Sequence, residues 1–374
     1  MLNLVLFGGG RWARVIAGVL GEILPEKHHI FWVSRYGQDE LAEWKKKKSA
    51  NHITLLTEDA SVWDNKIHAS IVATAPVTHA LYAEKSMARG IPTLIEKPFA
   101  INMAEANRLM VLAKETVCPV GVNHVFMYAS YLEDFAARLK DVPIKNIKIT
   151  WHDPALETRY GEEKRPDFYT SMAHDMFPHT WSILRILCPD PDIMVNDVTY
   201  APDGTVLIRG NAASISLEIS LSRRSAGRMR QININGDQWI LDFTQEPGFI
   251  LHQNSKIENQ WRGATPLSRS LREFLNIAKD PSCGSGWRVS ADNCIKFVGL
   301  SDEVKTLLET AQYERLRNLQ EKGEDLPSNH AHLLIDLFLP KAALEGKRPS
   351  VKTPEEQKNF AAQALSLYDK KGLT

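Results

Sequence analysis

Residues Leu2-Asn3-Leu4-Val5-Leu6-Phe7 run into Gly8-Gly9-Gly10-Arg11-Trp12-Ala13, after which Val15, Ile16, Val19, Leu20 and Ile23 recur at helical spacing. An apolar run, a glycine turn and a one-sided periodicity read as strand, tight turn and helix. In that setting the Gly8-x-Gly10-x-x-Ala13 spacing has a physical purpose. Gly8 supplies the turn, Gly10 lets the backbone approach a pyrophosphate, and Ala13 permits close helix-sheet packing, with Arg11 and Trp12 opening the helix on whose N-terminus phosphates would rest. The plain alternative is a glycine turn between any strand and helix.

Working outward, short apolar runs at 30–33, 53–56, 69–73 and 92–95 alternate with helical stretches at 38–47, 78–89 and 103–114. Strand and helix in alternation predict an α/β domain over 1–124, a Rossmann-type doubly wound parallel sheet. Beyond Asn123 the pattern changes. A helix near 128–140 precedes strands at 144–151, 194–200, 204–209, 213–221, 228–234 and 238–243, interrupted by a loop at 153–170 and a helix at 175–187. Consecutive strands without intervening helices predict an α+β domain over 125–310 with a largely antiparallel open sheet. Helices at 267–279, 290–321, 328–346 and 354–370 follow, and residues 311–374 are expected to form a helical extension packing back on the core.

Composition excludes several functions. The chain has 374 residues, 45 Lys+Arg against 45 Asp+Glu, 44% hydrophobic and 24% charged residues. Zero formal charge offers nothing to a phosphate backbone or an anionic membrane surface, so neither nucleic acid nor membrane is an expected partner. Cys118, Cys188, Cys283 and Cys294 form no CxxC pair, and His28-His29 and His330-x-His332 lack supporting ligand spacing. Free thiols and no metal site are expected. The first apolar run stops far short of the roughly 20 residues that span a bilayer, and no basic leader precedes it, so a cytoplasmic location is expected. Lys45 to Lys48 follow Glu40 and Glu43 and read as a solvated helix face.

The second strand ends in Ser34-Arg35, where an acid would hydrogen-bond a ribose 2′-hydroxyl. A hydroxyl and a guanidinium instead suit a 2′-phosphate, so NADP(H) is expected over NAD(H). Further along, Ala73-Thr74-Ala75-Pro76-Val77-Thr78-His79 leads from a strand into a helix, and Glu96-Lys97-Pro98 follows another apolar strand. Both lie at the carboxyl edge of the sheet, where ligands bind in such folds.

The order Gly8-x-Gly10-x-x-Ala13, Ala73-Thr74-x-Pro76-x-x-His79, Glu96-Lys97-Pro98, Gly121-x-Asn123 and Asp175-x-x-x-His179 resembles the glucose-fructose oxidoreductase / inositol dehydrogenase (Gfo/Idh/MocA) family over most of residues 1 to 310. The resemblance implies an NAD(P)-dependent oxidoreductase in which Lys97 touches both nicotinamide and substrate oxygen, and Asp175 and His179 complete the catalytic set. Cofactor contacts are expected from Gly8, Gly10, Arg11, Trp12, Ala13, Ser34, Arg35, Thr74, Pro76, His79, Glu96 and Lys97. Asp175 and His179, four apart at the start of a predicted helix, should share one face. A histidine suits proton transfer near neutrality, and a cation suits charge developing on an oxygen. A buried His beside a capping Asp is the structural alternative.

The chain departs from the family pattern Asp-x-Gly-x-His-x-x-Asp, with Phe177 for the glycine, Ser182 for the last acid and His174 before Asp175. Asn123, His124, Trp151, Tyr160 and His174 are candidate substrate contacts. Sugars, cyclitols or their modified forms are the substrates the resemblance implies. Reduction of a C=N bond, on a substrate that a carrier protein could hold, and a non-catalytic NADP-binding sensor stay open beside it. Family members commonly pair through the second domain's sheet, so a homodimer or homotetramer is expected.

Overall fold

The computed structural model describes residues 2–24, 27–159, 161–188, 192–257, 261 and 263–371. The chain divides into two compact units, one of residues 1–133 and 262–300, the other of 134–261 and 301–374.

In the first unit the elements alternate as β1 (Leu2–Phe7), α1 (Arg11–Ile23), β2 (His28–Val33), α2 (Gln38–Lys47), β3 (Ile53–Leu56), β4 (Ala69–Val72), α3 (His79–Met87), β5 (Thr93–Glu96), α4 (Met103–Glu115) and β6 (Val120–Asn123). The six strands pair in parallel in the order β3-β2-β1-β4-β5-β6. The winding therefore reverses between β1 and β4, at whose carboxyl ends the glycine turn and Ala73 lie. Leu4, Val5, Leu6 and Phe7 have no exposure, as a strand covered on both faces requires.

Next come α5 (Ser130–Arg138), β7 (Asn146–Pro154), β8 (Glu157–Arg159), β9 (Glu162–Lys164), α6 (Met172–Asp175), α7 (Phe177–Leu187), β10 (Ile193–Tyr200), β11 (Val206–Ala212), β12 (Ile215–Ser225), β13 (Met229–Ile234), β14 (Trp239–Asp242), β15 (Phe249–His252) and β16 (Ser255–Ile257). Eight of these strands form one sheet, β10-β11-β12-β7-β13-β14-β15-β16. Only β12 and β7 pair in parallel; the other pairs of that sheet are antiparallel. One face is apolar and buried, through Ile147, Ile149, Leu217, Ile219, Leu221, Ile232 and Ile234. The stretch expected as a loop at 153–170 holds the β8–β9 hairpin, where Lys164 pairs with Asp153 and Glu157 across a local charge cluster.

The chain closes with α8 (Pro266–Lys279), α9 (Ala291–Glu321), α10 (Leu326–Asn329), α11 (Ala331–Leu344) and α12 (Pro354–Lys371). The compact units divide the chain differently from the boundaries read at 124 and 310, because residues 262–300 return to the first unit. Ser270 donates to Asn123, the Val122 N–H donates to the Val289 carbonyl, and Gly121 bridges Ser290. A Cβ at Gly121 would stand 2.2 Å from the Trp287 ring, so glycine lets that indole lie against β6. In the second unit α11 and α12 enclose Ile335, Leu339 and Val351 with Phe168, Tyr169 and Phe360.

Candidate active site

The glycine turn is built by exclusion. Gly8 has φ +118°, and a Cβ there would meet the Ala73 carbonyl oxygen at 2.2 Å, so β1 and β4 close to a distance only glycine permits. Gly9 is packed as tightly, its missing Cβ lying 2.2 Å from Ser34 Oγ. Gly10 differs: nothing lies within 4 Å of the position its Cβ would take. It caps α1 without a side-chain hydrogen bond, and the first turn of α1 has no acidic residue. Open space over the N–H groups of a helix start fits a pyrophosphate.

Two residues past Gly10, Trp12 Nε1 donates to Glu96 Oε1 at 2.6 Å, and Asn123 Nδ2 donates to the same oxygen at 2.5 Å. Glu96 is buried, and burial pushes its carboxyl above the usual range despite these donors. The start of α1, the end of β5 and the end of β6 are thus tied at one carboxylate, one residue before Lys97. The Lys97–Pro98 peptide is cis. Beneath it, His79 Nδ1 lies 2.8 Å from the Pro98 carbonyl and Nε2 lies 3.1 Å from that of Thr74. Burial pushes this imidazole down to about 4; the ring lies between the Thr74 and Lys97 turns, and the neutral form donates its one N–H to one of the two carbonyls. Pro76 opens the short helical turn between Thr74 and His79, whose hydroxyl partners are Thr74 and Thr78.

At the end of β2, Ser34 is buried and donates to the Tyr36 carbonyl at 2.7 Å, while Arg35 is exposed. Ser34 shapes the turn against Gly9; Arg35 is the charged and exposed residue of the pair.

In the second unit, Asp175 ends α6 and His179 lies in the first turn of α7. The single helix expected from 175 is interrupted at Met176, because Pro178 has no N–H to continue the ladder. His179 is half-buried and stacks on Trp151, centroids 4.7 Å apart and planes within 16°. Trp151 also carries the Arg230 guanidinium 3.8 Å from its centroid. Arg230, 1% exposed, donates to the His152 carbonyl and to Asp153, and burial lowers its pKa to about 10.

Several expected contacts have other partners. His174 is 4% exposed, with Nε2 3.2 Å from Asp302 on α9, and Trp151 is 3% exposed beneath His179. Asn123 and His124 are 1% and 2% exposed; Asn123 serves Glu96 and Ser270, and His124 meets Phe297 edge-on. In each case the buried side chain serves the packing of its own unit, as do Glu96 and His79 in the first. Tyr160 lies outside the described residues. Arg230 was missed by sequence reasoning, although it falls in phase with Ile232 and Ile234 on the buried face of β13. A charged residue in an apolar phase is the signal that could have found it.

Residues 3–124 match the family described as "Oxidoreductase family, NAD-binding Rossmann fold" (GFO_IDH_MocA). No curated protein matches the chain by sequence. Among solved structures, UDP-N-acetylglucosamine 3-dehydrogenase from Acidithiobacillus ferrooxidans is similar over 83% of this chain and 98% of its own, at 17% identity and a TM-score of 0.62. A myo-inositol dehydrogenase from Corynebacterium glutamicum is similar over 83% of this chain and 97% of its own, at 15% identity and TM-score 0.63. A 3-ketoreductase from Actinomadura kijaniata, in complex with TDP-benzene and NADP, is similar over 82% and 97%, at 13% identity and TM-score 0.65. Identities this low establish a shared fold. The glycine turn and the Lys97 turn both lie within residues 3–124, the part of the chain that matches the NAD-binding Rossmann domain of the Gfo/Idh/MocA oxidoreductase family.

Proposed function

We propose that the protein is an NADP-dependent oxidoreductase acting on a carbonyl or alcohol carbon of a sugar, cyclitol or related small molecule. The observation that carries this reading is the tie from Trp12 to Glu96, the residue before Lys97, which links the open helix start at Gly10 to a cation at the carboxyl edge of the same sheet. Gly10 and the first N–H groups of α1 would hold the pyrophosphate, and Arg35 the 2′-phosphate. When bound, the nicotinamide supplies or accepts hydride. Lys97 stabilises charge developing on the substrate oxygen, His179 holds or moves that oxygen's proton, and Asp175 orients substrate or imidazole. The stack on Trp151 fixes the plane of His179. Sugar and cyclitol chemistry is supported by the names of the similar structures, a UDP-N-acetylglucosamine 3-dehydrogenase and a myo-inositol dehydrogenase.

Parallel titrations with NADPH and NADH, followed by nicotinamide fluorescence, test the cofactor reading, and a screen of sugars, nucleotide sugars and cyclitols with the preferred cofactor tests the substrate class. Tighter binding of NADPH and turnover of a polyol or ketose are expected. Failure to bind either cofactor would overturn the assignment.

A further inference from the structure

We propose that Asp336, in the C-terminal helices, is a positioning residue for the segment bearing Asp175 and His179, acting through Arg223 on the backbone that leads into α6. The proposal rests on the catalytic reading of Asp175 and His179 given above.

Asp336 is 5% exposed on α11 and accepts three hydrogen bonds: from Arg223 Nη2 at 2.9 Å on one oxygen, and from Arg224 Nη1 at 2.7 Å and the Tyr200 hydroxyl at 2.8 Å on the other. Burial alone would raise its pKa, but Arg224 and Arg223 hold it at about 2, so it is a carboxylate throughout the working range. Arg223 and Arg224 are adjacent in β12, and adjacent strand residues ordinarily project to opposite faces. Here the β12–β7 register shifts between Ser222 and Ser225, and both guanidiniums reach one carboxylate. Bulges re-aim side chains in this manner, often beside functional sites.

An anchor for α11 alone would require no more than that. Arg223, 1% exposed, goes further: its Nη1 donates to the Asp167 carbonyl at 2.7 Å and to the Thr170 carbonyl at 2.8 Å. Thr170 adjoins Ser171, whose hydroxyl caps α6 and whose carbonyl accepts the N–H groups of His174 and Asp175, both at 2.9 Å. The relay from carboxylate to guanidinium to backbone therefore ends at Asp175, four residues before His179. The same C-terminal segment grips this approach elsewhere. Tyr169 donates its hydroxyl to the Pro349 carbonyl, Arg165 donates to that of Lys352, and Phe168 lies under both arginines while packing on Ile335, Leu339 and Val351. A carboxylate holding a cation that holds two carbonyls fixes direction as well as distance, because the guanidinium donors form a rigid fork.

The test compares the full-length protein with Asp336→Asn, Asp336→Glu and Arg223→Lys, by amide hydrogen exchange and by NMR titration of the His179 ring. In Asp336→Asn and Arg223→Lys, exchange at residues 170–176 is expected to rise about tenfold or more while β11 to β13 keep wild-type rates, as for a local opening. The His179 midpoint should move, NADPH affinity should stay unchanged, and Asp336→Glu should restore part of both effects. Should Asp336→Asn fail to fold, Arg223→Lys carries the test, since it keeps the charge beside Asp336 and loses the fork. A wild-type His179 midpoint, or exchange rising equally throughout the second unit, would overturn the proposal and leave Asp336 a stabilising anchor. Absence of NADPH binding by the wild-type protein would instead overturn the oxidoreductase reading, so the two failures are distinguishable.

Discussion

The imidazole of His179 lies on the indole of Trp151, rings 4.7 Å apart and within 16° of parallel. Trp151 is in turn held by Arg230, which is anchored on Asp153. His179 is therefore seated on a packed, charged platform within α7. Truncating Trp151 to Ala removes a buried aromatic and should cost about 3–5 kcal/mol of stability. Trp151→Phe, which keeps a ring, should cost less and leave the His179 titration nearer to wild type. Urea unfolding and NMR of the His179 ring check both; a Trp151→Ala protein whose His179 titrates as in wild type would separate the stack from the site.

Lys97 follows Glu96, whose carboxylate is tied to Trp12 and Asn123. Its backbone is fixed independently of any bound ligand, which is the preorganisation that charge stabilisation needs. Lys97→Ala should lower kcat with the preferred substrate by about 100- to 1,000-fold, the size expected for removing one group that stabilises developing negative charge. NADPH affinity should change little. Stopped-flow turnover beside a fluorescence titration distinguishes the two effects, and an unchanged rate would remove Lys97 from the chemistry.

His79 predicts an acid limit to stability. Its pKa falls from 6.5 to about 4, chiefly through burial, with Lys97 adding to the fall and the Pro98 and Thr74 carbonyls opposing it. The unfolded chain thus binds a proton more readily than the folded one. Stability is complete above about pH 6.5 and is lost as pH falls toward 4, by about 3 kcal/mol from this group. His29 and His52, both lowered by burial and by neighbouring cations, act in the same direction. Urea midpoints measured from pH 7 to pH 4 should decline, and His79→Gln should flatten part of that decline while lowering stability at neutral pH.

Elements governed by local periodicity were legible in the sequence. The strands and helices of the first sheet, the alternation of the second and the terminal helices all follow from periods of 3.6 and 2. Gly8 and Gly10 stand in the strand-turn-helix that their spacing predicts, whereas Lys97, Asp175 and His179 were singled out through the family resemblance. The partners were not. Trp12 meets Glu96 across 84 residues and Ser270 meets Asn123 across 147, and no local pattern encodes contacts so distant. The return of residues 262–300 to the first unit rests on Gly121 making room for Trp287, again a tertiary fact. Arg223 offered a usable signal, standing in phase with Leu217, Ile219 and Leu221 on the buried side of β12, where a lone cation demands a buried acid.

Glu96 makes a sharper prediction than its position in a motif would. Burial raises its pKa, so the ionised form is disfavoured in the folded protein, and this cost appears as pH rises above the unfolded carboxyl value. Its Oε1 accepts from both Trp12 and Asn123, and an amide oxygen can do the same. Glu96→Gln should therefore hold or increase stability at pH 7 to 8, whereas Glu96→Leu strands two buried donors at about 1–3 kcal/mol each. Thermal unfolding of both variants checks the sign; equal losses would mean that the negative charge itself is required.

Arg35 and Ser34 were read together as a grip for a 2′-phosphate, and their surroundings now separate their roles. Ser34 is buried, spends its proton on the Tyr36 carbonyl and packs against Gly9, so Ser34→Ala should loosen the turn and weaken NADPH and NADH alike. Arg35 is exposed at the end of β2 and contributes charge without supporting the turn. Arg35→Ala should weaken NADPH by about tenfold or more, corresponding to a charge-assisted hydrogen bond of about 1.5–3 kcal/mol, while leaving NADH nearly unchanged. Arg35→Glu should reverse the preference by repelling the 2′-phosphate and accepting a ribose hydroxyl. Paired fluorescence titrations at two salt concentrations give the discriminating result, since an interaction with an exposed phosphate weakens with ionic strength and a turn defect does not. Equal weakening of both cofactors in Arg35→Ala would assign Arg35 to the adenosine or to the fold and leave the preference for NADPH without a residue to carry it.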